Sequence, residues 1–167
     1  MRSIIIILVL IHQCLCWWDL GHMAVAQIAK NHLSDQGHSG SYDKFNELVT
    51  IFNSLSDGKS TNFVEAAAWA DDIKSYNAKI FDSYHFINIV YDPTHMFKGM
   101  TDFQRDINIV NQMGWCMKVL NTNKNGITFE RAWMARYLIH LAGDIHQPLH
   151  TTMMYNSTFP NGDLGGM

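Results

Sequence analysis

Several absences narrow the field before any motif is read. Only three cysteines occur, and Cys14 and Cys16 both fall within the first sixteen residues. Residues 17–167 therefore carry Cys116 alone and form no internal disulfide. No stretch beyond the N-terminus approaches 18 consecutive apolar residues, the length a spanning helix requires. The expectation is a soluble monomer without a membrane anchor. Charge is sparse: 16% of residues are charged and the net charge is −3 with histidine neutral. Lysine and arginine form no basic patch of the kind that drives bulk nucleic-acid binding. An anionic ligand would have to find positive charge elsewhere, and bound metal ions are one source. Repeats, low-complexity tracts and convincing runs of alternating apolar and polar residues are also missing, which argues against a β-rich domain.

Residues 1–16, MRSIIIILVLIHQCLC, have the form of a secretory signal: Arg2, a short apolar run from Ile4 to Ile11, then small residues before a cut. Cleavage after Cys16 would leave one domain, 17–167, with Trp17 as its first residue and a secreted destination. Helical periodicity predicts elements over Gly21–Leu33 (stripe Val25, Ile28, Ala29, Leu33), Tyr42–Leu55, Phe63–Ile73, Thr101–Leu120 and Phe129–Gly143. Thr128 is expected to cap the last. Tyr84–Val90 has an ambiguous period, strand or extended loop. A glycine-rich tail follows His150. The fold class is all-α. Cys116, in an apolar helical stretch, reads as a small buried hydrophobe. Asn156-Ser157-Thr158 is a glycosylation sequon in an expected loop.

The segment Ile139–His150, IHLAGDIHQPLH, carries the strongest chemical signal. Residues four apart on a helix share one face, about 6 Å along the axis. His140 and Asp144 can thus face one cavity. Pro148 halts the helix, because proline lacks the N–H and clashes with the preceding turn. His150 can then approach from another direction. Imidazole with carboxylate suits zinc; a helix end with histidines that only pack or hydrogen-bond is the plainer alternative. Three other places offer ligands: His22 in Trp17-Trp-Asp-Leu-Gly-His, Asp71 in Trp-Ala-Asp, and His85 in Tyr-His-Phe. Singly each is weak, since His85 could be a core histidine and Asp71 a helix-end acid.

Taken together and in order, W-x-x-x-G-H at Trp17–His22, W-A-D at Trp69–Asp71, Y-H-F at Tyr84–Phe86 and H-x-x-G-D-x-H-Q-P-L-H at His140–His150 resemble the zinc-dependent class I single-strand nucleases, relatives of bacterial zinc phospholipase C. The resemblance runs from Trp17 to about Gly166 and covers a little over half of a usual family domain. It implies a cluster of three zinc ions. One zinc would be held by Asp71, His85 and His140. A neighbour would be held by His22 with the carbonyl and free α-amine of Trp17, Asp144 bridging the pair. His150 would serve the third. The α-amine exists only after signal removal, and its low reference pKa, about 7.7–8, makes its deprotonation by a metal cheap.

The same resemblance implies hydrolysis of phosphodiester bonds in single-stranded DNA and RNA to 5′-nucleotides by metal-activated water. Asp71 would orient that water and Lys74 would neutralise developing charge. Phe86 would stack on a base, and Asn88 stands where many members carry a base-binding acid. His146 is not a direct ligand in this reading; His32, His38 and His95 are taken as surface residues. The family's further His-x-x-x-Asp pair is absent from this sequence, and Met167 replaces an expected asparagine. Two zinc sites are therefore expected complete, and the third has His150 alone. An incomplete chain and a truncated paralogue both account for that. A zinc phospholipase C-like hydrolase and a non-catalytic zinc- or nucleic-acid-binding protein are the alternative functions.

Overall fold

The computed structural model describes residues 18–51, 53, 59–96, 107–122 and 129–165. The fold is helical, as expected, with one very small sheet. In chain order the elements are α1 (Asp19–Asp35), α2 (Ser39–Thr50), a 3-10 turn (Glu65–Ala67), α3 (Trp69–Ser75), a longer 3-10 segment (Lys79–His85), β1 (Ile89–Tyr91), α4 (Ile109–Leu120), α5 (Phe129–Asp144), α6 (Pro148–Thr151) and β2 (Thr152–Met154). The proposed signal, Trp17 and Thr128 lie outside the described residues.

Helix α5 is the axis of the structure. It buries Ala132, Ala135, Arg136, Tyr137, Ile139, His140, Leu141, Gly143 and Asp144, so nearly every side of it is covered. Helices α1, α2, α3 and α4 all pack against it. One apolar cluster joins Ile139 to Ala26, Val49 and Phe63. A second joins Tyr137 and Leu141 to Trp69, Ile109 and Cys116. The small residues Ala66, Ala67 and Ala70 are fully buried, which lets backbone approach α5 closely. Arg136 is also fully buried and donates to the carbonyls of Val49 (2.6 Å) and Ser60 (2.9 Å), tying α2 and the next loop to the axis. Burial lowers its pKa to about 10, which leaves it charged at neutral pH.

The departures from expectation have local causes. In α1 the buried residues are His22 and Ala26, while Ile28 is 68% exposed. The stripe is turned because a histidine, not an aliphatic residue, faces α5. The helix expected over Phe63–Ile73 is split into the 3-10 turn and α3. Asn62 Oδ1 accepts the N–H groups of Val64 and Glu65, and Glu65 reaches back to the Thr61 N–H at 2.9 Å. This reciprocal cap starts the turn after Asn62. Of the helix expected over Thr101–Leu120, residues 101–106 lie outside the described residues, and α4 runs from Ile109. Asn108 is extended (φ −153°, ψ 170°) and its side chain accepts from the Asn111 N–H, an N-cap that stops helix on its N-terminal side. Tyr84–Val90 proves composite, a 3-10 end followed by strand.

The strand β2 was unexpected. It pairs in parallel with β1, with Ile89 opposite Thr152 and Tyr91 opposite Met154. Asp163 supports it from the tail: its Oδ1 accepts the Met154 N–H at 3.0 Å while its own N–H donates to the Met154 carbonyl at 3.1 Å. Gly162 makes the return possible, with φ +92° and a backbone so close that a Cβ there would strike Met153 Sδ.

Candidate metal centre

Five side chains from four elements converge against the C-terminal end of α5: His22 from α1, Asp71 from α3, His85 from the 3-10 segment, and His140 with Asp144 from α5 itself. His85 Nδ1, His140 Nε2 and Asp144 Oδ2 form a triangle with edges of 2.9, 2.9 and 3.0 Å. Asp71 Oδ1 lies 3.8 Å from both of those nitrogens. On the other side, His22 Nε2 is 3.3 Å from Asp144 Oδ1 and 3.6 Å from Asp71 Oδ2. Ligand atoms of Asp71, His85 and His140 form one grouping within 4.8 Å, and those of His22, His140 and Asp144 form another. Asp144 faces His85 and His140 with one oxygen and His22 with the other.

The orientation of His140 is fixed from behind. Its Nδ1–H donates to the Ala67 carbonyl, an acceptor only, so Nε2 is the nitrogen that points into the cluster. A backbone carbonyl behind an imidazole is the usual support of a metal-ligating histidine. The His22 ring lies flat on that of His140, with centroids 3.9 Å apart. Gly143 makes the stacking possible: a Cβ there would fall on Nδ1 of His22 and 3.2 Å from Cε1. That glycine, inside a helix where alanine is preferred, was read as part of a motif without a role. Its clearance for His22 is visible only in three dimensions.

The charge balance of the cluster is one-sided. Burial, followed by the neighbouring His140, lowers the His22 pKa to about 4, and burial lowers that of His85 as well. Both rings are thus neutral, the form that ligates metals. Burial would raise the Asp144 carboxyl, but the ring nitrogens of His140, His150 and His85 hold it far below the usual carboxylate range. Asp71 is held low in the same way, against burial, by His140 and by Lys74, whose Nζ is 2.7 Å from Oδ1. Two ionised acids therefore face His22 and His85, both kept neutral, in a pocket where His22, His140 and Asp144 are essentially inaccessible. Buried charge of one sign needs compensation. A nitrogen and oxygen donor set with spacings near the roughly 3.3 Å edge of a tetrahedron of 2.0–2.1 Å bonds suits zinc. The residues present fit a metal.

The sequence pattern of the S1/P1 nucleases matches residues 17–167. The chain belongs to that family. It is 27% identical to Endonuclease 3 of Arabidopsis thaliana over 98% of the chain and 51% of the relative. To Nuclease S1 of Aspergillus oryzae it is 30% identical over 80% of the chain and 44% of the relative. To Nuclease P1 of Penicillium citrinum it is 26% identical over 80% of the chain and 47% of the relative. The chain spans about half the length of the curated relatives it matches. No solved structure matches it.

Of the residues the family resemblance singles out, His22, Asp71, His85, His140 and Asp144 come together, and Trp17 lies outside the described residues. His150 stands beside the cluster and belongs to neither grouping among the described residues. Its Nδ1 is 3.2 Å from both Asp144 Oδ1 and the His85 carbonyl, and the bond to Asp144 raises its pKa. Phe86, 37% exposed, and Asn88 line a groove of about 400 Å³ with His150, Leu149, Met153 and Leu164. The part of the apolar wall supplied by Met153 and Leu164 had no signal in the sequence, since it depends on the unexpected β2 and the turn after it. His146 is exposed and donates from Nδ1 to the Ala142 carbonyl at 2.6 Å. His32, His38 and His95 are exposed. Asn156 closes a turn, its Oδ1 accepting from Thr158 and Phe159, with Ser157 and Thr158 exposed. Among the described residues no helix is long and apolar enough to cross a membrane.

Proposed function

We propose that this chain carries the zinc centre of a nuclease that hydrolyses phosphodiester bonds of single-stranded DNA and RNA to 5′-nucleotides. The observation that carries the reading is Asp144, a fully buried carboxylate turned with separate oxygens toward two histidine groups. In this reading Asp71, His85 and His140 would hold one zinc, His22 with Trp17 would hold a second, and Asp144, lying between the two groups, would serve both. Zinc bound there supplies an activated water and positive charge for the phosphate. Asp71 orients the water. Lys74, already beside Asp71, neutralises charge developing on the phosphate oxygens, which this chain's few cations otherwise leave uncompensated. His150 faces the groove and offers a ligand toward a third ion. Phe86 provides a ring face that unpaired bases can reach and paired bases cannot. Asn88 adds both a donor and an acceptor for a base edge.

Residues 1–16 fit export, and their removal would create the α-amine of Trp17 as a ligand, so that secretion and site assembly become one event. Asn156 is the glycosylation position consistent with that route, and the working form is a monomer.

The decisive experiment uses protein beginning at Trp17. Zinc content and cleavage of single-stranded oligonucleotide, duplex DNA and phosphatidylcholine are measured side by side. The expected result is about two bound zincs and selective cleavage of the single strand. Two zincs with no cleavage of any substrate would overturn the catalytic reading in favour of a binding protein, and cleavage of the lipid alone would favour a phospholipase.

A further inference from the structure

The extended segment Phe86–Asn88 is a ridge with a cavity on each side. One side is the groove with His150 described above. The other is a cavity of about 270 Å³ at the start of α4, lined by Ser83, Ile87, Ile107, Asn108 and Tyr155 together with Phe86 and Asn88. The ridge is gripped from both directions. The Ile87 N–H donates to the His150 carbonyl at 2.8 Å, and the Phe86 carbonyl accepts from the Ile109 N–H at 3.1 Å. Its two flanks are therefore fixed relative to each other and to His150.

We infer that the two cavities are consecutive nucleobase subsites, and that the one beside α4 receives the base next along a single strand. The inference rests on the nucleotide reading of the Phe86 groove. Its second support is chemical. Among the described residues the α4-side cavity is lined by no charged side chain, only by the hydroxyl and amide groups of Ser83, Asn88 and Asn108, by Tyr155 and by aliphatic surface. Such a lining suits the flat, neutral, hydrogen-bonding body of a base rather than a phosphate. The start of α4 does not offset this, because the Asn108 side chain already takes the Asn111 N–H. The volume falls just below the roughly 300 Å³ at which small-molecule sites begin, room for one base and not for a longer stretch. A strand crossing the ridge would set one base in each cavity and leave its backbone on the exposed rim, where Phe86 and Ile107 are 37% and 54% exposed.

The test compares two probes on zinc-loaded protein beginning at Trp17: thymidine 5′-monophosphate, which fills one subsite, and a dithymidine with a cleavage-resistant phosphorothioate linkage, which fills two. Ser83→Leu puts an aliphatic side chain without a stacking face into the second cavity. It is expected to weaken the dinucleotide roughly tenfold, in line with the loss of one base contact, and the mononucleotide less than twofold. Ile107→Ala, at an exposed position, trims the cavity rim and should weaken the dinucleotide alone, by about threefold. Thermal melting of both variants confirms folding. Equal effects on both probes, or none on either, overturn the second subsite while leaving the first intact. Wild-type protein that binds neither probe overturns the nucleotide reading itself.

Discussion

The segment Ile139–His150 joins two regions built on different principles. His140 and Asp144 stand on a sixteen-residue helix covered on nearly every side, and both are 0% exposed. Their partners arrive from α1, α3 and the 3-10 segment, and a buried carbonyl fixes the His140 tautomer. His150 stands six residues beyond Asp144 on a four-residue helix, with 33% of its side chain exposed. Its surroundings are two three-residue strands and a tail turned at Gly162, Leu164 and Gly165, all with positive φ. The first region has the preorganisation expected of a metal cage, whose ligands must hold one geometry. The second has the shorter elements and exposed apolar rim expected of a surface that meets a changing partner. Helix packing sets the chemistry, and loops set what reaches it.

The sharpest way to break that comparison is Asp144→Asn. An amide offers one acceptor oxygen and a donor in place of two acceptor oxygens. The variant should lose metal from both groupings together, by more than the roughly hundredfold that loss of a supporting contact can cause. Zinc titration by calorimetry reads the result. Retention of two zincs with near-native affinity would separate the groupings and remove Asp144 from the centre of the argument.

Gly143→Ala should act on one side only. The added methyl group falls on the His22 ring, and overpacking of this kind costs about 1–3 kcal/mol. Melting temperature should fall, and the zinc assigned to His22 should be lost while the Asp71–His85–His140 grouping keeps its ion. The double variant His22→Ala, Gly143→Ala sharpens the test. With the ring gone, the alanine should add no further destabilisation, a non-additivity expected only of direct neighbours. Simple additivity would show that Gly143 serves something other than clearance.

Much of the buried region was legible in the sequence and little of the exposed one. The i, i+4 spacing of His140 and Asp144 is a helix property, so one periodic segment announced that two ligands share a face. His22, Asp71 and His85 were weak signals singly and gained weight through their order along the chain. Cys116 also behaves as its apolar context suggested. What failed was fine structure controlled by other parts of the chain. Ile28 looked like core, but α1 turns His22 toward α5 instead. The expectation of unbroken helix from Thr101 did not anticipate the cap at Asn108. The strand β2 has only three residues, Thr152–Met154, too few for a period to show, and it exists because β1 and Asp163 pair with its backbone. Leu164 and Met153 could therefore not be assigned to a groove wall in advance.

His150→Ala addresses the exposed region and should have a smaller effect on metal. His150 donates to Asp144 Oδ1, a supporting contact of the kind whose removal costs about tenfold in affinity. Both groupings should still fill, with the loss spread over them, whereas binding of a mononucleotide in the Phe86 groove should weaken measurably. Loss of a whole zinc equivalent would make His150 part of the cage and erase the contrast between the two halves.

The smallest effect falls on Cys116, which reports on the packing behind His140. The residue is fully buried, its Sγ lies 3.7 Å from Met134 Sδ, and it belongs to the same apolar cluster as Tyr137 and Leu141 on α5. Burial pushes the thiol up to about 11, so at pH 8 the reactive thiolate is scarce as well as inaccessible. In protein beginning at Trp17 this is the single thiol, and alkylation by iodoacetamide at pH 8 should require local opening or denaturant. Zinc should slow the reaction by holding α3, α5 and the 3-10 segment together, and Asp144→Asn should abolish that protection. His150→Ala should leave it within about twofold, because the residue touches the cluster only from its exposed side. If both substitutions accelerate alkylation equally, the two halves of the segment open as one unit, and the division between a rigid cage and a loop-built groove does not hold in solution.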